Sequence, residues 1–243
     1  MIMPAGAYKA VLFDKDGTLF AFAETWANFC DRVFDALAGS DEARKDALAA
    51  ACGYDRATRH FETGSLIVNG SSDEVCAAWL SHLPGMTMAR LEAASRNILD
   101  DLPLVPTCDL PAVLGELHGM GLSLGVATND YEAGALGHLQ LADALHLFDF
   151  VCGSDSGYGS KPAPGMVHGF CQAIGIEENE LVLVGDSRHD MECGRNAGAG
   201  LLVGVLTGPA DAAHLAPLAD VVLPSIGDLP AHLASDPGGQ HQR

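Results

Sequence analysis

The chain has 243 residues, 48% of them hydrophobic, with 32 acidic against 13 basic side chains and a formal net charge of −19. That balance argues against nucleic acid or an anionic membrane surface as a partner, since both call for clustered cations. Length and apolar content suffice for one large domain, or a core with a smaller insertion, and no apolar run reaches the roughly 18 to 20 residues that cross a bilayer.

Met1-Ile2-Met3-Pro4-Ala5-Gly6 has no charged stretch followed by an apolar one, so a cytoplasmic location is expected. Seven scattered cysteines, never in a Cys-x-x-Cys arrangement, read as small buried hydrophobes rather than disulfides or a zinc site. No feature of the sequence assigns an oligomeric state.

The first element is the short apolar run Ala10-Val11-Leu12-Phe13, ended by Asp14, Lys15, Asp16 and Gly17. It predicts a buried strand that delivers two carboxylates at its C-terminal end. Helical spacing of Trp26, Phe29, Val33, Phe34 and Leu37 predicts a helix over 24–37, and Ser40 or Asp41 can cap another over 41–51. Residues 53–72 read as irregular; two further helices over 72–83 and 87–99 are separated by Pro84-Gly85.

Leu102 to Pro106 reads as a linker, after which helices and strands alternate. Strands are expected at 123–127, 148–152, 181–184, 201–205 and 220–223, with helices over 109–118, 131–140, 164–174 and 189–197. Strands separated by helices of this length imply parallel crossovers. The expected fold is α/β, a Rossmann-like parallel sheet with helices on both faces, formed by residues 1–20 and 100–236. An all-α insertion occupies 21–99, and 237–243 is expected to be a disordered tail.

Three more stretches of polar residues follow strands: Thr128-Asn129-Asp130 and Gly185-Asp186-Ser187-Arg188-His189-Asp190 directly, and Ser160-Lys161-Pro162 at the end of the Gly/Ser-rich loop after Val151-Cys152. In a parallel sheet they would gather at the edge that Asp14 and Asp16 occupy. Carboxylates gathered at one point repel unless a cation lies among them, and a hard, oxygen-ligated divalent ion such as Mg2+ suits them. A phosphoryl group would then be held by that ion, by Lys161, and by the hydroxyl and amides near Thr128. Each stretch also has a plainer reading: an Asp-Gly turn after a strand, a helix cap, an exposed lysine before a helix that starts with proline.

These four stretches resemble, in order, the four motifs of the haloacid dehalogenase-like superfamily, over roughly 8–20 and 100–230. The helical segment is similar to that family's C1 cap and places the chain near its phosphoglycolate phosphatase-like members. The resemblance implies that Asp14 attacks phosphorus and becomes an aspartyl-phosphate, while Asp16 protonates the leaving alcohol and then deprotonates water. It implies Mg2+ on the Asp14 side chain, the Asp16 backbone carbonyl and Asp186, with Asp190 ligating through water or orienting the site. Thr128, Asn129 (through its backbone amide) and Lys161 would bind the phosphate.

Two features depart from the family pattern. Lys15 stands where an apolar residue is usual, and its side chain is expected to point away from Asp14 and Asp16. Phe20-Ala21-Phe22 replaces an aspartate and a serine found in many relatives, which weakens substrate assignment by analogy.

The expected substrate is a small phosphorylated metabolite, 2-phosphoglycolate or a sugar phosphate. Arg56, Arg59 and His60 are candidates for recognising a second anionic group, a charged surface being the plainer reading. A phosphomutase using the same core, or a silent binding protein of the same fold, are the alternatives. A phosphonate hydrolase would need an insertion lysine; Lys45 is the one present, in a charged run that reads as a solvated helix face.

Overall fold

A computed structural model describes residues 8–62, 64–69, 72–100, 102 and 104–235. Met1–Gly6, Pro103 of the expected linker and the expected tail 237–243 lie outside the described residues. Along the chain run β1 (Ala10–Phe13), α1 (Phe22–Ala38), α2 (Glu42–Cys52), β2 (Tyr54–Asp55), β3 (His60–Phe61), α3 (Leu66–Asn69), α4 (Ser72–Leu80) and α5 (Met88–Asp100). There follow α6 (Leu110–Gly119), β4 (Ser123–Ala127), α7 (Glu132–Leu141), β5 (Phe150–Cys152), α8 (Gly165–Ile174) and β6 (Leu181–Gly185). The chain continues through α9 (Arg188–Ala197), β7 (Leu201–Val205), α10 (Ala212–Leu215), β8 (Val221–Leu223) and α11 (Leu229–Ser235). The described residues up to Phe22 and from Leu104 onward form one compact unit, and those from Ala23 to Leu102 another.

The larger unit is built on a six-stranded sheet of order β5-β4-β1-β6-β7-β8, every neighbouring pair parallel. Counting only its own strands, this is the 3-2-1-4-5-6 order of a doubly wound fold. The direction of winding reverses between β1 and β6, and such a reversal opens a crevice beyond the carboxyl ends of those strands.

Alternation along the strands decides which face each residue serves. Val11, Phe13, Val126, Val182 and Val184 pack with Leu110, Leu114 and Leu117 of α6 and Leu229 of α11. The other register, Ala10, Leu12, Leu181, Leu183 and Leu202, packs with Met166 and Phe170 of α8 and Met191 of α9. Both faces are covered, so β1, β6 and β7 are buried along their whole length.

The smaller unit is helical around Phe34, Trp79, Leu48 and Leu91. Trp79 meets Phe34 edge-on at 5.6 Å between ring centroids and donates its indole N–H to the Leu48 carbonyl at 3.1 Å. The Asp41 carboxylate caps α2 by accepting the Arg44 N–H at 3.1 Å.

Residues 53–72, expected to be irregular, contain the β2–β3 hairpin and the single turn of α3, so the insertion is not wholly helical. The hairpin is organised by its turn, where the Asp55 carboxylate accepts the N–H groups of Ala57 (2.8 Å) and Thr58 (3.3 Å). Two-residue strands are too short to show a period of two. All seven cysteines are free, and six are buried. No described helix is long and apolar enough to cross a membrane.

Candidate active site

β1 ends by handing the Asp14 N–H to the Val184 carbonyl of β6 at 2.9 Å, which extends the ladder by one residue and sets Asp14 at the crevice. The chain then turns sharply, the Lys15 carbonyl accepting N–H groups from Leu19 (3.0 Å) and Phe20 (3.1 Å). Gly17 takes φ 86°, a conformation open chiefly to glycine, and any Cβ there would lie 2.5 Å from the Asp186 carboxyl.

β6 delivers Asp186, and the first turn of α9 delivers Asp190. A reciprocal cap fixes the latter: the Ser187 hydroxyl accepts the Asp190 N–H (3.3 Å), while the Asp190 carboxylate accepts the Ser187 N–H (3.1 Å) and hydroxyl (2.5 Å). β4 leads directly into Thr128, which is buried and donates its N–H to the Cys152 carbonyl at 3.0 Å. The Thr128 hydroxyl oxygen accepts the Asp130 N–H at 3.1 Å.

Lys161 is aimed from the loop after β5. Its backbone is clamped by the Asn129 side chain, whose oxygen accepts the Lys161 N–H (2.8 Å) and whose amide donates to the Lys161 carbonyl (3.1 Å). Its buried ammonium bonds the Asp14 carboxylate and, at 2.6 Å, that of Asp190.

A cavity of about 220 Å³ lies over these groups, lined by Asp14, Asp16, Thr128, Asn129, Lys161, Asp186 and Asp190 together with Phe22, Asp130, Ser187, His189 and Pro209. The seven core residues expected from the sequence are therefore brought together. A cleft of about 290 Å³ in the helical unit, lined by Asp31, Phe34, Asp35, Lys45 and Arg56, has its cations already paired with acids of that unit. Arg56 bonds Glu42 (2.8 Å) and Asp46 (2.5 Å), Arg59 bonds Asp31 and Asn28, and His60 is exposed in β3.

Carboxylate oxygens of Asp14, Asp186 and Asp190 all lie within 4.8 Å of one another. Among the described residues, one ammonium, that of Lys161, faces these three buried acids, and Asp186 receives only the Thr18 hydroxyl at 3.2 Å. Burial, aided by repulsion from Asp190 and Asp16, pushes the Asp14 carboxyl up to about 6 despite Lys161. Asp186 is raised well above the ordinary range, by burial first and then by Asp14 and Asp190. Burial opposes the charge of Lys161, but Asp14 and Asp190 outweigh it and raise its pKa.

Room for Asp186 is made by glycines, since a Cβ on Gly208 would fall 1.8 Å from its Oδ2 and one on Gly17 would also strike it. An excess of buried negative charge, made wholly of hard oxygens, fits a divalent cation of the magnesium class.

Sequence reasoning missed three features. Asn129 acts here through its side chain, and Gly208 borders Asp186; the Gly-Pro turn Gly208-Pro209 directly after β7 was the available signal for the second. The third is Lys15. Expected to point away, its ammonium instead bonds Asp16 Oδ2 at 2.6 Å, because the tight turn at Gly17 breaks the strand alternation on which that expectation rested. Burial opposes the Lys15 charge, yet Asp16 and Asp130 raise its pKa. Lys45, expected on a solvated face, is likewise buried and paired with Asp35 (2.7 Å) and Glu42 (2.9 Å).

Comparison with known proteins matches this arrangement to a family. The profile of haloacid dehalogenase-like hydrolases matches residues 11–203. Phosphoglycolate phosphatase of Nitrosospira multiformis is 30% identical over 196 residues, covering 79% of this chain and 80% of that protein. The phosphoglycolate phosphatase of Rhodospirillum rubrum is 30% identical over 203 residues, covering 80% and 78%. Among solved structures, a haloacid dehalogenase family hydrolase from Deinococcus radiodurans, with bound phosphate and sodium, superposes with a TM-score of 0.70 at 22% identity, covering 96% of this chain and 99% of that one.

The chain belongs to the haloacid dehalogenase-like hydrolase family. Within it, the protein is an enzyme of the phosphoric monoester hydrolase class and similar to phosphoglycolate phosphatases.

Proposed function

We propose that the protein is a magnesium-dependent phosphatase acting on a small phosphomonoester, 2-phosphoglycolate or a sugar phosphate, through an aspartyl-phosphate on Asp14. The observation that carries this reading is the buried Asp14 carboxylate held against the Lys161 ammonium at the cavity, with Asp16 two residues on and lining the same cavity.

A carboxylate oxygen of Asp14 attacks phosphorus, and the bond from phosphorus to the leaving oxygen breaks. Asp16 gives its proton to that oxygen, so an alcohol leaves. Asp16, now a carboxylate, takes a proton from water as that water attacks phosphorus; the bond to Asp14 breaks and inorganic phosphate departs. Lys161 offsets repulsion between Asp14 and the incoming anion. The Thr128 hydroxyl, its oxygen engaged by the Asp130 N–H, keeps its proton for a phosphoryl oxygen, and the backbone amide of Asn129 adds a second donor.

Mg2+ would be held by Asp14, the Asp16 backbone carbonyl and Asp186. Both Asp190 oxygens are engaged, one by Lys161 and one by Ser187, which favours an orienting role over direct ligation. When bound, the ion neutralises charge on the phosphoryl oxygens. Arg56, Arg59 and His60 are retained as candidates for a second anionic group, each arginine exchanging an acid for the substrate.

The test is phosphate release from a panel of phosphorylated metabolites, with and without Mg2+, by wild type and D14N. Magnesium-dependent release abolished in D14N supports the reading. Absence of release from every ester by wild type, or undiminished release by D14N, overturns it.

A further inference from the structure

Lys15 is 1% exposed. Its ammonium lies 2.6 Å from Asp16 Oδ2, 3.3 Å from Asp130 Oδ2 and 3.3 Å from His138 Nδ1 of α7. Three partners match its three N–H donors, provided that the His138 proton resides on Nε2. Burying a lysine is costly unless its charge is met. The acids it meets have no such need, since the side chains of Asp16 and Asp130 are 30% and 46% exposed and could be solvated. The lysine is drawn in to the carboxylates, and the effect of the arrangement is to fix them.

Asp130 is also tied to the loop after β4, its N–H bonded to the Thr128 hydroxyl. Lys15 therefore joins the end of β1, which carries Asp16, to the segment that carries Thr128. A half-exposed aspartate on a turn has several rotamers open to it, and bonding one of its oxygens to a buried cation selects one of them.

We propose that Lys15 is a positioning residue for the proton-transfer step: its buried ammonium aims the Asp16 carboxyl at the leaving-group oxygen and holds it in register with the Thr128 loop. This rests on the phosphatase reading and on Asp16 as the acid. Its signature is dependence on the leaving group. An alkoxide must be protonated as its bond to phosphorus breaks, whereas p-nitrophenolate leaves as a stable anion and needs no proton. A lysine that merely supported β1 and α7 would affect both kinds of ester alike.

The experiment measures kcat/KM, which reports the steps through departure of the leaving group, for an alkyl phosphate and for p-nitrophenyl phosphate at saturating Mg2+. Wild type, K15M and D16N are compared. Misplacing a catalytic group by about 1 Å can cost about 100-fold, so K15M is expected to lose about 10- to 100-fold on the alkyl ester. On the aryl ester it is expected to lose less than about 3-fold, the smaller factor marking a step without proton transfer.

D16N should show the same selectivity, more strongly. If D16N is selective while K15M loses equally on both esters, or on neither, the role of Lys15 is refuted and that of Asp16 stands. If D16N is not selective, Asp16 is not the acid and the proposal falls with it. Should K15M not fold, K15Q, which keeps a hydrogen-bond donor for the acids, is read by the same ratio.

Discussion

Replacing Asp14, the proposed nucleophile, should stabilise the protein while removing its activity. Asp14 is 8% exposed, and its pKa rises from 3.8 to about 6 in the folded chain because burial and the neighbouring acids outweigh Lys161. At 1.36 kcal/mol per pH unit, that rise means ionised Asp14 costs the fold about 3 kcal/mol. The folded value lies above the unfolded one, so the stability linked to Asp14 is complete only below about pH 4 and is lost as pH rises through about 6. D14N keeps the shape but carries no charge, and Lys161 retains Asp190.

Urea denaturation and thermal melts of both proteins in EDTA measure the difference. At pH 7.5 D14N should be more stable by up to about 3 kcal/mol, or about 6 to 12 °C for a chain of this size. The gap should shrink to about half at pH 5, where Asp14 is largely protonated in the fold but ionised when unfolded. Excess Mg2+ at pH 7.5 should narrow it as well, because the cation compensates the acids in wild type. A D14N protein less stable than wild type, or a gap of equal size at both pH values, would refute the electrostatic reasoning.

N129A removes both hydrogen bonds that fix the Lys161 backbone. It should lower kcat/KM about 10-fold and stability by about 2 kcal/mol, read by steady-state kinetics and urea denaturation; unchanged kinetics would show that Lys161 needs no such anchor. In G208A the new methyl collides with Asp186, so the half-activating Mg2+ concentration should rise by about 10- to 100-fold. A magnesium titration identical to that of wild type would show that Asp186 yields without consequence.

The sheet was legible because each of its strands is an apolar run of a few residues bounded by turn residues, and helices of ordinary length separate them. The α2 cap at Asp41 is a local, three-residue relation, which a sequence displays directly. The hairpin at 54–61 was not legible. Its strands carry two residues each, and its turn depends on Asp55 accepting two backbone N–H groups rather than on an Asn-Gly or Gly-Gly pair.

At the site, the positions of Asp14, Asp186 and Thr128 follow from one rule, that strand ends in a parallel sheet share an edge. What lies beyond the strand ends escapes that rule. The period of two that would send Lys15 to the opposite side from Asp16 holds only while the backbone is extended. Gly17 at φ 86° ends the extension within two residues, and the Lys15 carbonyl collects the turn that follows. The lysine and the aspartate then meet, with Asp130 and His138 more than a hundred residues away in sequence. Side chains on a sharp turn are placed by the elements packed around it, so their partners are set by topology rather than by spacing. That makes the residue between the two acids the position of the first motif where this chain carries information that the motif itself does not.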